Sequence, residues 1–163
     1  MSLVYVIDGY NIIKNPAFTR IRKSKTPAAQ ADLLKVIRLR HLTGSTRNRV
    51  IVVFDGFPPH ERIDAPRGIE VVFSRDRSAD RYIVGLIDKA AQPKNVRVVT
   101  NDRQVGFAVR SGGATPVAVE QFLGVSGGKK SPGPRNTDQQ KVSLSYSHQE
   151  KINKELRKRW LNE

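Results

Sequence analysis

Short apolar runs, each cut off by a polar turn, alternate with segments of helical periodicity from the N-terminus to about residue 123. Leu3 to Ile7 predicts a strand that stops at Asp8-Gly9, because so short an apolar run bounded by a turn signal fits a strand covered on both faces. Thr26-Pro27 predicts an N-cap with proline at the first helical position. Leu33, Leu34 and Ile37 follow at helical spacing, with His41 as a further member, until Gly44 closes the segment. Val50 to Phe54 and Ile69 to Phe73 predict two more strands, the first ended by Asp55-Gly56. Ser78 predicts the cap of a helix in which Ile83, Leu86, Ile87 and Ala90 share a face and Asp80 lies in the first turn. Val96 to Val99 predicts a fourth strand ending at Thr100-Asn101-Asp102. A helix over about Gln104 to Ser111 and a fifth short strand over Pro116 to Val119 complete the alternation.

Strands alternating with helices imply an α/β fold. Right-handed crossovers place the helices on both faces of a mainly parallel sheet, which gives three layers, α/β/α. Ligands of such sheets gather at the carboxyl ends of the strands. The nucleus of the fold is therefore expected over residues 1–123. Residues 124–146 are rich in Gly, Ser, Pro and Lys and read as a linker. Residues 147–163 begin with capping-box spacing at Ser147 and Glu150 and carry Ile152, Leu156 and Trp160 along one face of a basic helix.

Composition narrows the classes of function. The 163 residues are 38% hydrophobic, enough for one core with a solvated appendage, and contain no cysteine. Disulfides, thiol nucleophiles and thiolate metal sites are thereby excluded, and any metal must be held by oxygen or histidine. No apolar run approaches the roughly 18–20 residues of a membrane span, and the N-terminus enters a strand pattern instead of a signal peptide. A cytoplasmic protein with no membrane partner is the expectation. The formal charge of +14 points to a polyanionic partner, since each phosphate neutralised by Lys or Arg releases condensed counterions. Ten basic residues lie between Lys14 and Arg49 against one acid, Asp32. Lys14, Arg20, Arg22, Lys23, Lys25 and Arg38 of this block are candidate RNA-backbone contacts, as are Arg81 and Arg103 beside the acids.

Those acids carry the candidate chemistry. Asp8, Asp55 and Asp102 each stand at or just beyond the end of an apolar strand, where a parallel sheet brings them to one edge, and Asp80 at a helix start can join them. Crowded carboxylates raise one another's pKa values unless a cation sits among them. Mg²⁺ or Mn²⁺ suits oxygen-only ligands and acts on phosphodiesters. Each acid singly has a plainer reading, since Asp-Gly is a common turn and a first-turn aspartate complements the helix dipole. Asn11 either ties a turn or faces the site to orient a phosphate or water, and Tyr10 either packs or stacks on a base. The run Gly127-Gly128-Lys129-Lys130-Ser131 lacks the upstream glycine and strand of a phosphate loop, and His41, His60 and His148 have no zinc-site spacing.

Val6-Ile7-Asp8-Gly9-Tyr10-Asn11, Val52-Val53-Phe54-Asp55-Gly56, Ser78-Ala79-Asp80 and Val98-Val99-Thr100-Asn101-Asp102, taken in this order, resemble the NYN branch of PIN-like nucleases. Within that branch they are most similar to the YacP-like group of ribosome-associated endoribonucleases. The resemblance spans about residues 3–123. It implies a Rossmann-like sheet and an acidic pocket that binds Mg²⁺ or Mn²⁺ and cleaves single-stranded RNA hydrolytically. Asp8, Asp80 and Asp102 match the family's metal-holding acids, Asn11 matches the asparagine of its first motif, and Asp55 matches an acid that binds metal directly or through water. Asp8, Asn11, Asp80 and Asp102 are thus the expected catalytic set. Arg81 stands where the family often carries a further acid. That departure is consistent with one tightly held ion and a second recruited by substrate, or with a chain that mainly binds RNA. A non-catalytic RNA- or ribosome-binding module, in which Arg81 pairs with Asp80, and a flap-type DNA nuclease are the alternative functions.

Overall fold

The computed structural model describes residues 1–22 and 28–125. The expected cap at Thr26-Pro27, the candidate contacts Lys23 and Lys25, and nearly all of the 124–146 linker and the whole 147–163 helix lie outside the described residues. All five expected strands form: β1 (Val4–Asp8), β2 (Arg49–Phe54), β3 (Ile69–Phe73), β4 (Val96–Val99) and β5 (Thr115–Val117). They build one sheet in the order β3-β2-β1-β4-β5, and every pair is parallel. The expected fifth strand is shifted, because Val119 opens a short helix instead of ending the strand.

The helices are α1 (Gly9–Ile13), α2 (Pro16–Ile21), α3 (Ala29–Leu39), α4 (Ala79–Asp88), α5 (Arg103–Ser111) and α6 (Val119–Phe122). Adjacent strand residues point to opposite faces, and the sheet accordingly feeds two cores. Ile7, Val50, Val52, Phe54 and Val99 pack with Ile12, Phe18, Leu33, Leu34, Ile37 and Phe122, which places α1, α2, α3 and α6 on one face. Val6, Ile51, Val53, Val96 and Val98 pack with Ile83, Ile87, Val105 and Val109, which places α4 and α5 on the other. Each fully buried aliphatic or aromatic side chain contributes about 1.5–3 kcal/mol, so β2, buried on both faces from Val50 to Phe54, is a principal anchor of the sheet.

The change of face follows from handedness. From β1 the chain moves outward to β2 and β3, with α1 to α3 and then Ile63 of the helix-free 55–68 connection on the first face. It then reverses across β2 and β1 to β4 and continues to β5. A right-handed crossover travelling the opposite way must use the opposite face, which is where α4 and α5 lie. The order therefore reverses between β1 and β4, and loops diverge there to leave a crevice at the carboxyl ends of the strands.

Local details depart from the sequence expectations in three helices. His41 is not part of the α3 face; it is exposed and left-handed, with φ 49°. Its amide donates to the Arg38 carbonyl (3.3 Å) and the Leu42 amide to the Ile37 carbonyl (3.2 Å). This is the Schellman ending of a helix, formed at His41 three residues before the expected stop at Gly44. Helices α1 and α2 were not expected at all. The second starts at Asn15-Pro16, where Asn15 Oδ1 accepts from the Ala17 amide (2.9 Å) and proline occupies the first turn, a start signal that was legible.

Candidate active site

Asp8, the last residue of β1, lies at the point where the strand order reverses. Its side chain caps α1, with Oδ1 accepting from the Asn11 amide (3.3 Å). Gly9 follows because nothing larger fits: a Cβ there would stand 2.3 Å from Phe54 Cε1. The close approach of α1 to the Phe54 ring seats Asp8 in the floor of the site, where it is only 7% exposed. Burial pushes the Asp8 carboxyl up to about 6 against the capping hydrogen bond, and the charges of Asp80, Asp102 and Asp55 push it further the same way.

The other three carboxylates stand around this floor. Asp80, exposed in the first turn of α4, is held above the ordinary carboxylate range by desolvation and then by the charges of Asp102 and Asp55. Asp102 caps α5, Oδ1 accepting from the amides of Gln104 (2.7 Å) and Val105 (3.1 Å). Asp55 follows β2 and ties three elements together. Its Oδ1 accepts from the Ser74 hydroxyl (3.2 Å) and the Ala79 amide (3.0 Å), while Ser74 Oγ accepts from the Gly56 amide (3.1 Å). Thus Asp102 uses one oxygen to cap α5, and Asp55 uses one oxygen to tie the end of β2 to Ser74 and to the start of α4. The same residues nonetheless share one electrostatic neighbourhood with Asp8 and Asp80.

Asn11 Oδ1 accepts from the Asn101 amide (2.8 Å), joining α1 to the loop that presents Asp102. The sequence contained no sign of the network behind that contact. Asn101 Oδ1 caps α6 at the Val119 amide (2.9 Å), its Nδ2 donates to both carboxylate oxygens of Glu120 (3.0 and 3.1 Å), and Asn15 Nδ2 donates to Glu120 Oε1 (2.7 Å). The Asn15 amide, then the backbone and Asn101 donors, hold the Glu120 carboxyl below its ordinary range. Glu120 sits far along the chain from Asn11 and at no strand end, so no periodicity marks it. Tyr10 packs: its ring meets Phe54 edge-on at 5.3 Å and its hydroxyl accepts from Gln30 Nε2 (2.7 Å).

The basic candidates divide. Arg81 and Arg103 follow Asp80 and Asp102 directly and are exposed, and Lys14 and Arg20 are exposed beyond α1 and within α2. Arg22 has a structural partner, with Nε 2.7 Å from Asp32 Oδ2 where α2 meets α3. Arg38 lies at the wrong edge of the sheet. It lines a small cavity of about 40 Å³ with Val50 and Ile69, the beginnings of β2 and β3, whereas the acids stand at strand ends. The ion pairs among the described residues are Arg22–Asp32 and Arg49–Glu70, and Arg81 forms none with Asp80.

The family model of the YacP-like NYN domain matches residues 5–162, which include this architecture from Tyr5 onward. The chain belongs to the YacP-like NYN domain family. That family is nuclease-type. This YacP-like domain resembles two solved structures of Rae1 (YacP) from Bacillus subtilis. The W164L mutant is 28% identical, with a TM-score of 0.53 over 76% of this chain and 73% of that one. A second structure of Rae1 is 24% identical, with a TM-score of 0.56 over 97% of this chain and 81% of that one, and bears on the fold alone. No curated protein matches this YacP-like chain. Among its described residues no helix is long and apolar enough to cross a membrane.

Proposed function

We propose that this YacP-like chain is a cytoplasmic, metal-dependent endoribonuclease that hydrolyses phosphodiester bonds within single-stranded RNA, with ribosome-associated mRNA as its substrate. The observation that carries the reading is the buried, charge-strained Asp8 carboxyl at the strand-order reversal, within the fields of three further aspartates. Carboxylates that raise one another's pKa values in this way are stabilised by a cation. The donor set is all oxygen, which suits Mg²⁺ or Mn²⁺. Among the described residues no three His, Asp or Glu side chains are arranged to hold an ion together. Mg²⁺, however, characteristically keeps several waters and takes only one or two carboxylates directly, so the chemistry fits. Asp8 and Asp80 would hold it directly. Asp55 and Asp102 each commit Oδ1 to backbone amides and would contribute through Oδ2 or through water. When bound, the ion supplies Lewis-acid activation of water and neutralises charge building on the phosphate.

The chain's own residues do the rest. Arg81, Arg103, Lys14 and Arg20 hold the phosphodiester backbone by charge. Asn11 and Asn101 keep the first and fourth strand ends in register, so the carboxylates of Asp8 and Asp102 stay at one mouth. Labelled RNA and matched DNA, incubated with Mn²⁺, Mg²⁺ or EDTA, test the reading. RNA is expected to be cut only with metal, and Asp8→Asn is expected to bind RNA without cutting it. Undiminished cleavage by Asp8→Asn would remove the proposed site, and salt-sensitive binding without cleavage in every condition would leave a binding module or an enzyme that needs the ribosome.

A further inference from the structure

Helix α5 starts at the acid cluster, since its N-cap is Asp102. Its buried face is Val105, Gly106 and Val109, and Val105 and Val109 pack under the sheet. At about 100° per residue, Arg103, Phe107 and Arg110 fall within about 60° of one another on the exposed side, one above the next along the helix. All three are exposed, and Phe107 is 72% exposed. An isolated exposed phenylalanine is ordinary. What distinguishes this one is its place between two arginines, on a ridge that runs directly away from the carboxylates, in a chain of charge +14. Arginines at either end and an open aromatic ring between them match the alternation of phosphate and unstacked base in a single strand. In a duplex the base faces are covered by their neighbours, so such a ridge is complementary to an unpaired strand.

We infer that the Arg103–Phe107–Arg110 ridge of α5 is a binding track for single-stranded RNA leaving the acid cluster, with a nucleobase stacked on Phe107. This deepens the nuclease reading and rests on it for the direction of the strand. The stacking itself is indifferent to the sugar, so matched single-stranded DNA is expected to use Phe107 equally, while the arginines supply the salt-dependent part.

Full-length protein titrated into fluorescein-labelled oligouridylate in EDTA gives the affinity without turnover. Phe107→Ala is expected to weaken binding about tenfold, from a stacking contribution of about 1–3 kcal/mol per base, and to leave the slope against log salt unchanged. Arg103→Ala and Arg110→Ala are each expected to reduce that slope by about one. Phe107→Trp is expected to retain affinity and to show fluorescence quenching on binding beyond that of wild type, whose Trp160 sets the background, and duplex RNA is expected to bind equally to Phe107→Ala and wild type. Melting temperatures of the variants check that the exposed substitution leaves the fold intact. Wild-type affinity in Phe107→Ala, or no quenching in Phe107→Trp, overturns the track. Cleavage by the wild type separates the two readings. If RNA is cut and Phe107→Ala binds normally, the track fails and the nuclease stands. If binding depends on Phe107 but nothing is cut, the reverse holds.

Discussion

Replacing Asp8 by Asn is expected to stabilise the metal-free protein at neutral and alkaline pH. Asp8 is buried, and its carboxyl is pushed from the ordinary 3.8 to about 6 by that burial and by three neighbouring carboxylates. The folded chain therefore binds this proton more tightly than the unfolded chain does. Stability falls as pH rises from about 4 to 6, and above about 6 the whole penalty is present. At 1.36 kcal/mol per pH unit the penalty is about 3 kcal/mol. Asparagine keeps an oxygen for the Asn11 amide, which Asp8 caps at 3.3 Å, so the helix start survives while the charge is lost. For a chain of this length about 3 kcal/mol corresponds to some 6–12 °C in Tm. Thermal melts of wild type and Asp8→Asn in EDTA, from pH 4 to pH 8, measure it. The two curves should meet near pH 4 and diverge by several degrees, variant higher, by pH 7. Adding Mn²⁺ should then raise the wild type more than the variant, because the variant lacks the buried charge at Asp8 and keeps only those of Asp55, Asp80 and Asp102. Equal melting temperatures at pH 8 in EDTA would refute the claim that Asp8 is an electrostatically strained site.

Asp55→Ala removes the acceptor for the Ala79 amide and the Ser74 hydroxyl, and urea unfolding should show a loss of about 1–3 kcal/mol. Glu120→Ala strips both Asn15 and Asn101 of their acceptor. It should cost about 1–2 kcal/mol in the same assay, and it should lower cleavage with little change in RNA affinity, because the Asp102 loop loses its brace. Gly9→Ala drives a methyl into the Phe54 ring and should destabilise by about 1–3 kcal/mol, read by thermal melting. His41→Gly relieves a left-handed residue at the end of α3 and should raise stability by up to about 1 kcal/mol.

Alternating apolar runs and helical segments were sufficient, without tertiary information, to establish a parallel α/β sheet with Asp8, Asp55 and Asp102 at its strand ends. Strand burial and carboxyl-end placement are properties of local pattern and connection handedness, and both are readable one segment at a time. The sequence also contained the start of α2 at Asn15-Pro16, unused because its single turn and a half shows little periodicity. Other features depend on which segments meet. That Arg22 is bound to Asp32 and Arg38 lies at the far edge of the sheet follows from the packing of α2 and α3, so the described residues of the basic block are divided between different parts of the fold. The bracing of Asn101 by Glu120, the tie of Asp55 Oδ1 to Ser74 and Ala79, and the raised pKa of Asp8 arise from distance and burial between residues far apart in the chain. Such quantities have no local signature in the sequence, because a carboxylate acquires its environment only when the strands that carry its neighbours are laid side by side.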